Sequence, residues 1–412
     1  MDVAAAPGRS NARTLLLTLA VFAVFCAIYL YSAQFLDRIN TPGASYFDQL
    51  ADSFLKGRLD INPQGVHDLT QHNGKWYVPF PPLPALLLMP WVAISGVDGV
   101  ITTVFIAIMG AFGAAFAFAS ARSLAAVGWA NVTTADQLWL TVLFGLGSVN
   151  WYLSTIGAVW FLSQVCTATF MALALWLAIG FRSAAASGIA LAVAMLARPH
   201  VALMFPLLLA IGLQHIRDSG VKLTWRDALR WTLISAVPMA LSAIALLLYN
   251  KARFDSYRDF GYLTQNVAEE LKRDLAVFGQ FNLHYVPHNL WVMLFAGPLW
   301  DAKSWRMTPS VDGMSLVLTM PVLAFLIEAR KPRLIALGGW AALALLLAPL
   351  VTYYNTGWWH FGYRFVLDLA APLIVMLALA SKHATRWRMR ALIVIGIGMH
   401  AWGTWWFLNP AY

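Results

Sequence analysis

Two aspartates within one polar stretch of the sequence are spaced so that a helix would hold both carboxylates on the same side. The stretch runs from residue 45 to residue 84, and its run YFDQLADSFL, beginning at Tyr46, places apolar residues at helical spacing. Asp48 and Asp52 lie four residues apart in this run. A carboxylate in such a position can take a proton from a hydroxyl group, so Asp48 is the first candidate for a general base and Asp52 the second. Asp37 is a third candidate. The alternative to a catalytic role is that Asp48 and Asp52 only form the polar, solvent-facing side of a helix at the membrane surface.

The remainder of the same stretch carries further polar and aromatic residues. His72, Trp76 and Tyr77 are candidate substrate contacts, with loop-forming roles as the alternative. Asp60 and Asp68 lie in turn-like sequence, and we interpret them as loop-forming residues. The stretch is far too long for an ordinary turn between helices, which indicates a loop with a structure of its own.

Two arginines beside apolar segments are candidates for binding an anion. A guanidinium at the edge of a membrane-spanning helix is costly to desolvate unless it meets an anionic partner, and a phosphate group is such a partner. Arg198 follows a short apolar segment, and its alternative role is a helix cap paired with a carbonyl or an aspartate. Arg364 adjoins an aromatic run that contains His360 and Tyr363, and these two residues are candidate substrate contacts as well. The alternative for that run is an interfacial belt of aromatic side chains.

The composition restricts the class of protein that can contain these residues. Of 412 residues, 60% are hydrophobic and only 11% are charged, whereas soluble domains carry about 25% charged residues. The chain is therefore predicted to be an all-α polytopic membrane protein. Its formal charge of +9 falls in short basic clusters between apolar segments, which fits the positive-inside rule and argues against nucleic-acid binding. Cys26 and Cys166 both lie in apolar segments, so neither a disulfide framework nor a cysteine metal site is expected.

Eleven apolar segments are predicted to cross the membrane. They are Thr14–Gln34, Val100–Ala121, Asp136–Ser154, Phe161–Phe181, Ala184–Ala197, Val201–Gln214, Trp231–Tyr249, Val311–Ile327, Leu334–Thr352, Phe365–Ala380 and Ala391–Leu408. Residues 82–95 are apolar too, but the segment is short for a span and is predicted to form an interfacial helix.

The distribution of charge orients these segments. With a cytoplasmic N-terminus, most basic residues and few acidic ones fall in cytoplasmic loops. We therefore expect a cytoplasmic tail over residues 1–13 and one transmembrane domain over residues 14–412, with the C-terminus outside. Five connections are expected outside: the first loop (residues 35–80), the second loop (residues 250–310), the third loop (residues 353–364), and two turns, one over Asn150–Trp160 and one at Arg198. The expected location is the plasma membrane, which is the inner membrane in a bacterium.

Three stretches of the chain carry a family resemblance. They read YFDQLADSFLKGRLDI from Tyr46, KWYVPFPPLPALLLMPW from Lys75 and GWWHFGYRFVLDLAAPLIV from Gly357. Together with the pair Arg198-Pro199, they resemble the GT-C superfamily of integral membrane glycosyltransferases, in particular bacterial enzymes similar to protein mannosyltransferases and aminoarabinose transferases. The resemblance implies a long first outer loop with helices along the membrane and an acidic residue as catalytic base. Where such relatives have an acidic pair, shortly before the equivalent of Tyr46, this chain has Pro42-Gly43.

The resemblance implies transfer of a sugar from a polyprenyl-phosphate carrier to a hydroxyl of a lipid, glycan or protein acceptor, with no metal or other cofactor. A lipid phosphate is already a good leaving group, so this reaction needs a carboxylate for the acceptor proton and cations for the phosphate. One alternative is a lipid-linked glycan ligase or polymerase, which acts through outer arginines and histidines without a carboxylate in the first loop. A lipid or solute transporter is a further alternative, although the sequence has neither internal repeats nor charges within most spans.

Overall fold

The computed structural model describes residues 10–39, 43–302, 305–357, 359–382 and 385–409, with side chains from residue 12 onward. Most of the expected N-terminal tail, Pro42 and Trp358 of the aromatic run lie outside the described residues.

The described chain is dominated by helices. They are α1 (Ser10–Phe35), α2 (Phe47–Leu55), α3 (Leu83–Ser95), α4 (Thr102–Ala126), α5 (Thr134–Gly145), α6 (Asn150–Leu153), α7 (Val159–Gly180), α8 (Ala184–Met195), α9 (Phe205–Asp218), α10 (Trp225–Phe254), α11 (Glu269–Phe278), α12 (Val286–Leu294), α13 (Leu316–Thr319), α14 (Arg333–Val351), α15 (Leu367–Ala380) and α16 (Arg386–Leu408). Short 3-10 helices cover Pro199–Met204, Leu283–Tyr285, Pro321–Glu328 and Arg364–Val366. Two small antiparallel hairpins pair β1 (Thr70–His72) with β2 (Lys75–Tyr77) and β3 (Leu299–Asp301) with β4 (Arg306–Thr308).

Seven helical stretches of the described chain are long and apolar enough to cross a membrane. They are Ala12–Phe35, Thr102–Ala126, Val159–Gly180, Pro199–Asp218, Trp225–Phe254, Arg333–Val351 and Arg386–Leu408. Each coincides with one of the predicted spans, which confirms a multi-pass helical membrane protein.

The other four predicted spans are shorter or interrupted helices, so the count of eleven is not confirmed. The segment from Asp136 is divided between α5 and α6, and Ala184–Ala197 is the short α8. The segment from Val311 contains the four-residue α13 and a 3-10 helix instead of one continuous helix. Every residue of α15 is buried within the protein. Hydropathy cannot distinguish a helix surrounded by protein from one surrounded by lipid, because both environments select apolar residues.

Close packing of α4 against its neighbours depends on small residues. Gly110 lies so near Ser154 that a Cβ atom added to Gly110 would be 2.0 Å from Oγ of Ser154. At the neighbouring residue of α4, the Thr169 hydroxyl of α7 donates a hydrogen bond to the carbonyl of Met109 at 2.7 Å. Small residues and interhelical hydrogen bonds are what bring helices together in lipid, where apolar burial gives little advantage.

The first loop forms a structured unit. The predicted amphipathic helix is α2, which buries Phe47, Leu50 and Ala51, and the left-handed Gly57 follows its end. The β1–β2 hairpin turns at Asn73-Gly74, where both residues have positive φ as a type I′ turn requires. The predicted interfacial helix exists as α3, and its position at a membrane surface stays a prediction.

Arg253 joins the first loop to the end of α10. Its guanidinium donates to the Val78 carbonyl at 2.6 Å and to Asn250 Oδ1 at 2.9 Å, and it lies 3.9 Å from the centre of the Tyr249 ring. The side chain is buried, and within the described residues it forms no ion pair. Arg253 therefore stabilises the fold through carbonyl, amide and ring contacts alone.

Replacing Arg253 by Met should lower the free energy of unfolding by about 2–3 kcal/mol, because the Val78 carbonyl loses a charge-assisted hydrogen bond. Thermal unfolding in detergent measures this loss as a lower apparent Tm. The matched control is Arg258→Met, since Arg258 is exposed in the same loop and should leave the Tm unchanged. Equal Tm values for the two variants would contradict the role assigned to Arg253.

A candidate cavity with an unpaired guanidinium

The three loops surround a cavity of about 520 Å³. Its lining comes from residues 67–68 and 80–81 in and just after the first loop, Trp160 and Ser163 of α7, residues 197–200 before α9, parts of residues 260–281 in the second loop, parts of residues 349–365, and Phe407 of α16. Arg198 and Arg364 both contribute to this lining. The folded chain therefore brings two arginines that are far apart in the sequence to one cavity, together with residues of the first loop.

Arg364 is a buried cation without a carboxylate partner. It is 7% exposed, and in the part of the chain that the structure describes its guanidinium has neither an ion pair nor a hydrogen bond. Aromatic rings surround it instead, with their centres at 5.0 Å for Phe365, 5.7 Å for Phe161 and 5.9 Å for Trp160. Because a charge removed from water requires compensation, this side of the cavity is suited to bind an anion.

Arg198, in contrast, has an internal partner. Its Nη2 lies 2.8 Å from Oδ2 of Asp368, a carboxylate that α15 buries completely, and the same oxygen lies 3.1 Å from Nε2 of His200. The guanidinium also packs 5.4 Å from the centre of the Phe365 ring, so Arg198 and Arg364 flank one ring. The structure thus shows the aspartate-paired alternative for Arg198, in a side chain that still lines the cavity.

Asp68 is the carboxylate of the first loop that lines the cavity. Its Oδ1 accepts a hydrogen bond from Gln265 Nε2 at 3.2 Å, and its Oδ2 lies 3.2 Å from His67 Nε2. The backbone holds Asp68 in the left-handed region at φ 60°, where Asn266 accepts its N–H at 2.9 Å. Burial raises the pKa of the Asp68 carboxyl from its ordinary 3.8 to about 6, although His67 and Arg364 oppose the increase.

The two aspartates selected from the sequence lie elsewhere. Asp48 accepts a hydrogen bond from Ser45 Oγ at 2.7 Å in the first turn of α2, and Asp52 pairs with Lys56 at 2.7 Å. Neither lines the cavity. Helical spacing does align the two carboxylates on one side of α2, opposite the side that the helix buries. Their partners, Ser45 and Lys56, belong to the ends of the same helix.

The hairpin residues also lie outside the cavity lining. Tyr77 packs against Phe254 with ring centres 5.4 Å apart, and Trp76 forms a bridge to the backbone of Ile61. His72 lies 3.4 Å from the exposed carboxylate of Asp255. These contacts attach the hairpin to the end of α10 and therefore help to hold the first loop in position.

His360 and Tyr363 support the segment that carries Arg364. Both are buried, and neither lines the cavity. Nδ1 of His360 accepts the backbone N–H of Arg364 at 3.4 Å, and Tyr363 donates its hydroxyl to the Leu350 carbonyl at 3.4 Å. Burial lowers the pKa of His360 to about 3, so the ring is neutral and able to accept this hydrogen bond.

Several cavity residues were not selected from the sequence. They are Asp68, His67, His200 and the tyrosines Tyr262, Tyr353 and Tyr354. The sequence does contain a signal for the residues that contact Arg198. His200 follows Arg198-Pro199 directly, and Asp368 lies one helical turn after Arg364. Asp68 has no such signal, because Gln265, which donates a hydrogen bond to its carboxylate, is 197 positions away in the sequence.

The described residues contain no cluster of three or more His, Cys, Asp or Glu side chains that could hold a metal ion. Cys26 and Cys166 are both free thiols.

No protein-family model and no curated protein matches the chain. Among solved structures, the chain is similar to one described as ArnT from Cupriavidus metallidurans bound to undecaprenyl phosphate, with a TM-score of 0.49 and 14% sequence identity. The alignment covers 91% of this chain and 62% of that chain, so the present chain spans only part of the other's length.

Replacing Arg198 by Met should lower the free energy of unfolding by about 3–5 kcal/mol, because it leaves the carboxylate of Asp368 buried without its guanidinium. The double variant Arg198→Met with Asp368→Leu should recover much of that loss, since both charges are then removed. Thermal unfolding of the two single variants and the double variant measures the coupling. Lys331→Met, at an exposed lysine, is the control. Strictly additive losses would show that the pair does not stabilise the protein.

Proposed function

We propose that this protein transfers a sugar from a polyprenyl-phosphate carrier to a hydroxyl of a lipid, glycan or protein acceptor, at the outer face of the membrane. The observation that carries the proposal is the unpaired guanidinium of Arg364 in the same cavity as the buried carboxylate of Asp68. One group is suited to hold a phosphate, and the other is suited to take a proton. The proposal covers hexosyl and pentosyl donors.

The charge of the cavity supports a donor with a single phosphate. A sugar joined to a lipid through one phosphate is a phosphodiester with one negative charge. Arg364 has no carboxylate in contact with its guanidinium among the described residues, whereas Asp368 already pairs with Arg198. The match favours a lipid monophosphate over the lipid diphosphate that a glycan ligase or polymerase would use.

The aromatic lining supports a donor with apolar and ring-shaped parts. Trp160, Phe281, Trp359 and Phe407 all border the cavity. Sugar rings present C–H faces that pack on aromatic side chains, and a prenyl chain needs an apolar path. Such a lining therefore suits both ends of a polyprenyl-phosphate sugar.

The reaction needs few protein groups. The acceptor oxygen forms a bond to the anomeric carbon of the sugar while the bond from that carbon to the phosphate oxygen breaks. The electron pair stays on the phosphate, and Arg364 stabilises the charge that develops there. The acceptor O–H bond breaks at the same time, and its proton passes to the Asp68 carboxylate. We assign the base to Asp68, and Asp48 is the rival candidate that helical spacing selects.

Replacing Arg364 by Gln should lower the rate of sugar transfer about 100-fold or more, because the charge on the leaving phosphate loses its stabilising cation. Arg364→Lys should retain part of the rate. The measurement is transfer of labelled sugar from a panel of polyprenyl-phosphate hexoses and pentoses, with Arg258→Gln as the control. Transfer that requires lipid diphosphate-linked glycan instead would favour a ligase, and undiminished transfer by Arg364→Gln would contradict the assignment of Arg364.

Replacing Asp68 by Asn should abolish transfer while the protein remains folded, because the amide cannot accept the acceptor proton. In the wild-type protein, kcat/KM should fall about tenfold for each pH unit below about 6, since only the carboxylate form acts as base. Asp60→Asn is the matched control, as Asp60 lies in the same loop and pairs with Lys75 outside the cavity. If Asp48→Asn abolishes transfer and Asp68→Asn does not, Asp48 is the base.

The same variant changes stability in a defined direction. The pKa of Asp68 is higher in the folded than in the unfolded protein, so ionisation of this carboxyl destabilises the fold as the pH rises from about 4 towards 6. Above that range, Asp68→Asn should therefore increase the free energy of unfolding by about 1–3 kcal/mol. A stabilised but inactive Asp68→Asn protein would separate loss of the base from loss of the fold.

A further inference from the structure

His67 lies between the buried carboxylate of Asp68 and solvent. Its Nε2 is 3.2 Å from Asp68 Oδ2, whereas its own side chain is 59% exposed and lines the cavity. The imidazole lies nearly perpendicular to the Trp160 ring, with an angle of 80° between the planes and the two ring centres 6.4 Å apart. The histidine therefore contacts the proposed base on one side and water on the other.

Other groups around Asp68 do not provide a path for a proton. Gln265 donates its amide hydrogens to the carboxylate and to the backbone carbonyl, so it cannot take a proton up. Arg364 is a permanent cation. The phenols of Tyr46 and Tyr354 are near enough to feel the charge of Asp68, and burial together with that charge raises the pKa of both, so each already holds its proton. Among the described residues near Asp68, His67 is thus the side chain that can both accept a proton and release it again.

A buried base needs such a path on every turnover. After one transfer, the Asp68 carboxyl holds the acceptor proton, and it must lose this proton before it can act again. With donor and acceptor in the cavity, water is displaced from the cavity side of the carboxylate. Oδ2 is itself buried and accepts no hydrogen bond of good geometry, while His67 lies beside it.

We propose that His67 relays protons from Asp68 to bulk water, an inference that rests on the proposed function. The carboxyl O–H bond breaks and an N–H bond forms at Nε2 of His67. The resulting imidazolium then releases the proton on Nδ1 to water, and proton exchange of the exposed ring with water restores the Nδ1–H tautomer, whose Nε2 can accept the next proton. Each step moves one proton and leaves Asp68 ionised, so no oxidant or further reactant is needed.

The test is chemical rescue of the variant His67→Ala. At saturating donor and acceptor in dilute buffer, kcat should fall about tenfold or more, while KM for the donor stays close to that of the wild type. Added imidazole should restore kcat with saturation, because a free base can occupy the exposed space that His67 leaves. A series of substituted imidazoles and pyridines should restore kcat in the order of their basicity.

Two controls separate a relay from a structural role. His288→Ala removes an exposed histidine outside the cavity and should change neither kcat nor its response to imidazole. His67→Ala combined with Asp68→Asn should not be rescued, because no base remains to pass the proton on. Equal apparent Tm values for His67→Ala and the wild type show that folding is intact, which is expected for so exposed a side chain.

Two results would overturn the relay while leaving the proposed function in place. One is an unchanged kcat in His67→Ala, and the other is a reduced kcat that no small base restores. A wild-type protein that transfers no sugar from any lipid-linked donor would overturn the proposed function and the relay together.

Discussion

The cavity depends on one electrostatic constraint, the burial of the Arg364 guanidinium without a carboxylate beside it. A cation in such surroundings is costly unless an anion or oriented dipoles compensate it. The protein supplies aromatic faces and phenol groups there, and it places the carboxylate of Asp368 on Arg198 instead. The folded chain thus keeps one positive charge available to a ligand, and this arrangement is the basis of the proposed phosphate site.

The opposite side of the cavity is built by contact between two loops. Asp68 and Leu69 of the first loop exchange backbone hydrogen bonds with Asn266 of the second loop, and Gln265 holds the Asp68 carboxylate. Arg253 fixes the same two loops to each other through the Val78 carbonyl. These contacts hold Asp68 in its left-handed conformation, which aspartate tolerates better than most residues. The proposed base is therefore positioned by segments remote from it in the chain.

Much of the fold could be predicted from the pattern of apolar residues. The seven long helices, the amphipathic α2 and the short α3 follow from hydrophobic periodicity and segment length. Where the prediction differs from the structure, as at α15 and around α13, a hydrophobic segment is buried in protein or breaks into short turns. Hydropathy indicates that a segment has apolar surroundings, but it does not tell whether these are lipid or protein.

The sequence by itself predicted a helical membrane protein with long loops, and it marked Arg198 and Arg364 as unusual cations beside apolar segments. These properties are local, because a charge beside an apolar segment is visible in a single stretch. Only the tertiary structure decided that Asp68, and not Asp48, shares the cavity with both arginines, and that Arg198 is already paired. Those properties arise from contacts between residues about 200 positions apart, such as Asp68 with Gln265 and Arg198 with Asp368. Helical spacing orients neighbours on one helix, but it carries no information on which distant loop will cover them.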